Sequence, residues 1–279
     1  DFFNNCKLEK EISDNCYITL SNCFEKDVKF NLTKKEALKI IESKEIKEKD
    51  FIIRTNKDFY SFRNIVKEYI NFKFIENGVD IENISTTYIG PEVNIEKGTK
   101  ITGDTHIYGK SCIGKNNLIS SSYIENTNIK DDNKILNSHI VGAMIGCKNE
   151  IGPFCRMRGK AVIDNECVLG NFVEIKSSNI KDHVKIKHLS YIGDTFIEKN
   201  VNIGCGFVTA NYDGKRKYPT TIEENVFVGC NTTIVSPVTL KENCFIAAGS
   251  VITKDVEKND LAIARSRQIN KTNYVKQKK

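Results

Sequence analysis

The stretch "IEKGTKITGDTHIYGKSCIGKNNLI", residues 95–119, decides the architecture, because an isoleucine returns at every sixth position: Ile95, Ile101, Ile107, Ile113 and Ile119. A six-residue beat matches neither the helical period of about 3.6 nor the two-residue alternation of an amphipathic strand. It fits a parallel β-helix of hexapeptides, in which three short strands make one coil and each beat residue points inward onto the one a coil below. Working outward, the beat begins at Ile89 and continues through Ile124, Ile129, Ile135, Ile140, Ile145, Ile151 and Met157. It goes on through Ile163, Leu169, Ile175, Ile180, Ile186, Ile192, Ile197 and Ile203, then resumes from Ile222 to Ile252. Gly, Asn and Asp recur beside the beats, as in "IGPEV" and "IEENV", and suit tight corners where φ is positive. Roughly nine stacked coils would share one aliphatic column and support one another.

One interruption stands out. Within "VNIGCGFVTANYDGKRKYPTTIEENVFVG" (201–229) the beat stops and a polar, cationic loop takes its place. Ahead of the coils, 34–47 and 58–75 carry helix-like spacing with charged faces. The expected division is an N-terminal region with no recognised motif (1–53), a helical linker (54–82), the β-helix (83–258) and a basic C-terminal tail (259–279).

Composition narrows the function classes. The chain has 42 Lys and Arg against 36 Asp and Glu, a net charge of +6, which suits an anionic partner such as a phosphate or coenzyme. The basic residues are dispersed and show no nucleic-acid signature. No apolar run approaches the roughly 18 residues of a membrane span, and the first residues lack a signal-peptide pattern, so a cytoplasmic protein without a membrane span is expected. The ten cysteines show no metal-ligand spacing and are read as reduced packing thiols.

Six segments occur in order: "IGPFCRMR" (151–158), "GNFVEIK" (170–176), "KHLSYIGD" (187–194), "VNIGCGFVTANYDGKRK" (201–217), "VFVG" (226–229) and "IAAGSVITKDV" (246–256). Together they resemble the acetyltransferase half of the bacterial bifunctional enzymes that acetylate glucosamine 1-phosphate and then uridylylate the product. The resemblance covers about residues 54–279 and is densest from 151 to 265. It implies a mainly β fold, a left-handed parallel β-helix of hexapeptide repeats preceded by a short mainly helical region, assembled as a homotrimer. It also implies acetyl transfer from acetyl-CoA to the amine of α-D-glucosamine 1-phosphate, which feeds UDP-N-acetylglucosamine and hence cell-wall peptidoglycan synthesis. The interrupting loop is similar to the one that helps build the site in that family.

The resemblance assigns roles position by position. His188 matches the general base, a task suited to neutral imidazole because an amino sugar is largely protonated at neutral pH. Glu174 matches a position that orients His188 or holds the substrate amine. Arg158 and Lys176 match the sugar-phosphate contacts, Tyr191 and Asn202 the sugar contacts, and Lys217 a loop lysine near the phosphate. Asn211 matches a loop position meeting both ligands. Cys205, Asn211, Tyr212, Cys230, Ala248 and Arg265 match coenzyme positions, with Tyr274 in the tail as an aromatic contact. Cys205 and Cys230 stand where the family more often has Ala and Ser, and neither is needed as a nucleophile. No metal is expected for acetyl transfer. Because the first 77 residues contain no Gly, and so no phosphate-cradling glycine loop, uridylyl transfer is not expected from this chain alone.

Three alternatives remain open at this point: a hexapeptide acyltransferase for another amino sugar, a non-catalytic β-helix scaffold, and a three-histidine zinc carbonic anhydrase. The four histidines, His106, His139, His183 and His188, do not follow the last pattern.

Overall fold

The computed structural model describes residues 56–275; the helix-like spacing at 34–47 and the region 1–53 lie outside them. The fold is mainly β, a left-handed parallel β-helix of hexapeptide repeats. Within the chain two compact units are distinguished, 1–126 and 127–279.

In the first unit the helix Asn56–Glu76 precedes short parallel strands. Val66, Ile70 and Asn71 of the helix are buried, and the Asn71 side-chain amide donates to the carbonyls of Ile84 and Thr87 at 3.3 and 3.0 Å. The helix is thereby tied to the first coil, where Ile81 stacks on Ile101 and Thr87 on Thr105. Among the described residues no helix is long and apolar enough to cross a membrane.

The second unit holds three columns of inward beat residues. One rises through Ile135, Ile151, Leu169, Ile186, Ile203, Val228 and Ile246. A second rises through Ile140, Met157, Ile175 and Ile192, and a third through Ile129, Ile145, Ile163, Ile180, Ile197, Ile222 and Leu240. All of these residues are buried, which is where burial of apolar area stabilises the solenoid.

A second inward position, two residues before a beat, holds small side chains at Ser138, Ala143, Cys155, Ala161, Cys167 and Ser178. Where it is Asn, a ladder forms in the interior. The Asn133 Oδ1 accepts from both the backbone and side-chain N–H of Asn149, at 2.8 and 3.0 Å, and the Asn149 Oδ1 accepts from the Cys167 N–H at 2.8 Å. The amide groups thus satisfy corner backbone that would otherwise be buried without a partner.

The corners take positive φ, at Asn more than at any other non-glycine type: Asn116, Asn126, Asn137, Asn200, Asn225, Asn231 and Asn243 are examples. Asn tolerates this conformation because its short polar side chain bonds locally.

Candidate functional site

Two strands longer than the others carry much of the site. Val168–Lys176 and Lys185–Gly193 have nine residues each and run side by side, with Asn171 in step with His188, Glu174 with Tyr191, and Lys176 with Gly193. Each bends at a corner, Phe172 (φ 56°) and Leu189 (φ 41°), and Phe154 (φ 61°) occupies the same corner one coil earlier. Bulky residues in this region carry strain of about 1–3 kcal/mol each and cluster at functional sites. All three face solvent, and the Phe154 and Phe172 rings stack at 5.2 Å. In the following coils the corner residues are Gly206, Asn231 and Gly249, so side-chain bulk falls away beyond the His188 coil.

On the face that follows this corner, three cations converge. Arg158 lies in step with Lys176 on the neighbouring strand, and Lys217 of the loop comes close enough to Lys176 to lower its pKa. Two carboxylates answer them. The Glu174 Oε1 accepts from Arg158 Nε and Nη2, both at 2.7 Å, and the Asp194 Oδ2 lies 3.8 Å from Lys176 Nζ. Contact with Lys217 holds the Lys176 pKa below the ordinary lysine value, helped by burial and by Arg158 and opposed by Asp194. A cationic cluster with this surplus, and with one ammonium already short of counter-charge, is suited to a bound anion.

The loop is anchored to that cluster. The Asn211 Nδ2 donates to Asp194 Oδ2 at 2.6 Å, and Tyr212 bridges to Lys217 as the two arms of a small hairpin. Asp213 holds the turn: its Oδ1 accepts from the N–H groups of Lys215 and Arg216 at 2.7 and 2.6 Å, and its Oδ2 from the Tyr218 hydroxyl at 2.9 Å. These bonds keep the Asp213 carboxyl below its usual pKa, the Arg216 N–H contributing most. After the loop the chain re-enters in register, Thr220 in step with Thr195. Tyr191 finds room because Gly193 is beside it; a Cβ there would sit 2.6 Å from the Tyr191 hydroxyl.

Before the corner, His188 is exposed and its Nδ1 lies 3.0 Å from the Asn171 Oδ1. An amide oxygen only accepts, so the proton sits on Nδ1 and the Nε2 lone pair is left to take one. Glu174, expected to orient His188 or hold the substrate amine, is engaged with Arg158, and the imidazole's partner is Asn171. That partner was missed from sequence; counting one coil back from His188 would have found it, because the two are in step.

The expected coenzyme positions form a line. Since Ile186 pairs with Ile203, Ile203 with Val228 and Val228 with Ile246, His188, Cys205, Cys230 and Ala248 occupy one corner in successive coils. At strand spacings of about 4.8 Å the line is about 14 Å long. Arg265 closes it, its Nη1 donating to the Ala248 carbonyl.

The structure therefore gathers Arg158, Glu174, Lys176, Tyr191, Asn211 and Lys217 on one face and His188, Cys205, Cys230, Ala248 and Arg265 on the adjoining corner. One expected residue lies apart: Asn202 is on the preceding face, in step with Lys185. Tyr212, paired with Lys217 in the loop, is exposed, its hydroxyl donating to the Gly214 carbonyl at 2.7 Å. Tyr274 is exposed in the tail. Among the described residues no group of His, Cys, Asp and Glu is arranged to hold a metal ion.

With the repeat, the corner line and the cation cluster established, the chain is assigned to the hexapeptide class of bacterial transferases; the family described as "Bacterial transferase hexapeptide (six repeats)" matches residues 219–254. Its relatives are more particular. It is 42% identical over 212 residues to the "Bifunctional protein GlmU" of Staphylococcus haemolyticus (strain JCSC1435), covering 76% of this chain and 47% of the relative. To the protein of the same name from Geobacillus sp. (strain WCH70) it is 45% identical over 212 residues, covering 76% and 46%. Over this stretch the chain belongs to the GlmU family, and it spans about half the length of the relatives it matches. Among solved structures, LpxA, a UDP-N-acetylglucosamine acyltransferase from Bacteroides fragilis 9343, superposes with a TM-score of 0.46 at 16% identity, over 63% of this chain and 69% of that one.

Proposed function

We propose that this chain transfers the acetyl group of acetyl-CoA to the amine of α-D-glucosamine 1-phosphate, acting as a cytoplasmic homotrimer. The observation that carries the reading is the Arg158, Lys176 and Lys217 cluster, whose three cations exceed its two carboxylates by one charge, on the face adjoining the His188 corner. A sugar phosphate brings the missing negative charge, and its ring hydroxyls can meet Tyr191. Acetyl-CoA would lie along the Cys205, Cys230 and Ala248 line with its phosphates toward Arg265.

In the reaction the amine lone pair attacks the thioester carbonyl carbon and the C–S bond breaks. The amine proton passes to His188 Nε2, which Asn171 keeps free for it, and the departing sulfur leaves as the coenzyme thiol after protonation. Phosphate anchoring holds the amine at the thioester, which supplies the orientation that a bimolecular encounter lacks. The relatives' name supports the same reading, since a bifunctional protein has a second activity to which this half would contribute.

The test is release of coenzyme A thiol in the presence of glucosamine 1-phosphate, glucosamine 6-phosphate or free glucosamine, with a substrate-free blank for the chain's own thiols. Release should require glucosamine 1-phosphate and collapse by about 100- to 10,000-fold in His188→Ala, the range expected for losing a general base. Release that His188→Ala leaves intact, or none with any acceptor, would overturn the assignment.

A further inference from the structure

Along the corner line, Cys205 and Cys230 are immediate neighbours. Asn202 pairs with Phe227 and Ile203 with Val228, and the Asn231 N–H donates to the Cys205 carbonyl at 2.7 Å, which puts the two cysteines in step on adjacent coils. Strands so paired are about 4.8 Å apart, inside the roughly 4.4–6.8 Å between Cα atoms that a disulfide spans. Each follows a glycine, Gly204 and Gly229, and a Cβ on Gly204 would lie 2.6 Å from the Cys230 nitrogen, so the backbones approach closely here and no side chain precedes either thiol.

Both thiols are free, Cys230 exposed and Cys205 half-buried. They differ in this from the interior cysteines. Burial pushes the Cys155 and Cys167 thiols up to about 12 and the Cys244 thiol up to about 11, which keeps those three protonated and shielded. Thiol exchange needs thiolate and access together, and the corner pair has the access.

We propose that Cys205 and Cys230 form a thiol-exchange site for low-molecular-weight disulfides, closing into a disulfide between adjacent coils. In the first step one thiolate attacks a sulfur of the small disulfide RSSR, forming a mixed disulfide and releasing RS⁻. In the second the other thiolate attacks the protein-bound sulfur and releases the second RS⁻. The cysteine pair is oxidised, RSSR is reduced to two thiols, and the two cysteine protons are taken up by the departing thiolates; no other oxidant is involved. Resting on the function proposed above, either oxidised form would alter the path between His188 and Arg265, so acetyl transfer stops and a small thiol restores it.

The experiment uses the full chain, exposed to oxidised glutathione, alkylated with N-ethylmaleimide and digested with trypsin. Cleavage after Lys199, Lys217 and Lys241 separates the two cysteines, so mass analysis should find their peptides joined, and parted again by dithiothreitol. Cys205→Ala should abolish the joined species and leave a glutathione adduct on Cys230. If Cys230 and Cys205 are recovered only as alkylated thiols while the exposed Cys112 carries glutathione, the proposal is wrong. The mapping needs no catalytic activity, so it is judged separately from the proposed reaction. In active protein, the lost fraction of acetyl transfer should match the joined fraction together with any fraction carrying glutathione on Cys205 or Cys230; full activity at complete joining would overturn the regulatory consequence.

Discussion

Replacing Lys176 with glutamine shortens the side chain by one atom, keeps a polar end and removes one charge from the cation cluster. Its side chain is only 14% exposed, against 39% for Arg158, so solvent screens it weakly and the zero to one kcal/mol typical of surface pairs does not apply. The loss should instead be that of a charge-assisted hydrogen bond, about 1.5–3 kcal/mol, or about 10- to 150-fold in affinity. Asp194 acts in the same direction, because it keeps Asn211 as a partner but loses the cation that offsets its charge toward an anion. Calorimetric titration with glucosamine 1-phosphate, and separately with free glucosamine, reads the effect. The weakening should appear with the phosphate alone. A change of less than about threefold, well under one hydrogen bond, or an equal loss for both ligands would mean that Lys176 does not hold the phosphate.

The proton balance at the same lysine gives a pH dependence. Because its pKa is depressed in the free chain and a bound dianion favours the ammonium, binding takes up a proton, and affinity should fall as pH rises through the depressed value. Lys217→Ala removes the largest cause and should move that fall toward the ordinary lysine range; titrations at a series of pH values would show no such displacement if the two ammonium groups act independently. In the interior, Asn149→Leu should cost about 2–6 kcal/mol, since it orphans the Cys167 N–H and the Asp164 carbonyl that now pair with the amide; an unchanged urea midpoint would show the ladder to be idle. Asp213→Ala removes the three bonds that hold the loop turn and should raise KM for the sugar phosphate while the unfolding midpoint stays put; a stability loss without a KM change would make the loop structural only.

The coil was legible because one residue type does one job at fixed intervals: from Ile89 to Ile252 every beat residue named from the sequence is buried. The loop was legible as a break in that interval. The second inward position was not, because Thr, Ser, Ala, Cys, Asn, Val and, at Phe207, even a large ring are all buried there, so that residue type leaves no compositional signal. The side chains of Arg158, Lys176 and His188 could be matched to roles, but their partners could not. Glu174 and Asn171 are separated by three positions, and which of them faces His188 depends on where the strand bends, at Phe172. A bend placed at a bulky residue contradicts local preference, so no propensity rule would have put it there.

The corner line has one further property. Every coil adds the same rise, so the separation of His188 from Arg265 is counted in whole coils and is indifferent to the length of the loop, which leaves at Ala210 and returns in register at Thr220. The solenoid therefore acts as a ruler of about 4.8 Å divisions. Removing one complete coil between the two marks would bring Arg265 one division nearer to His188, whereas lengthening the loop would leave that separation unchanged.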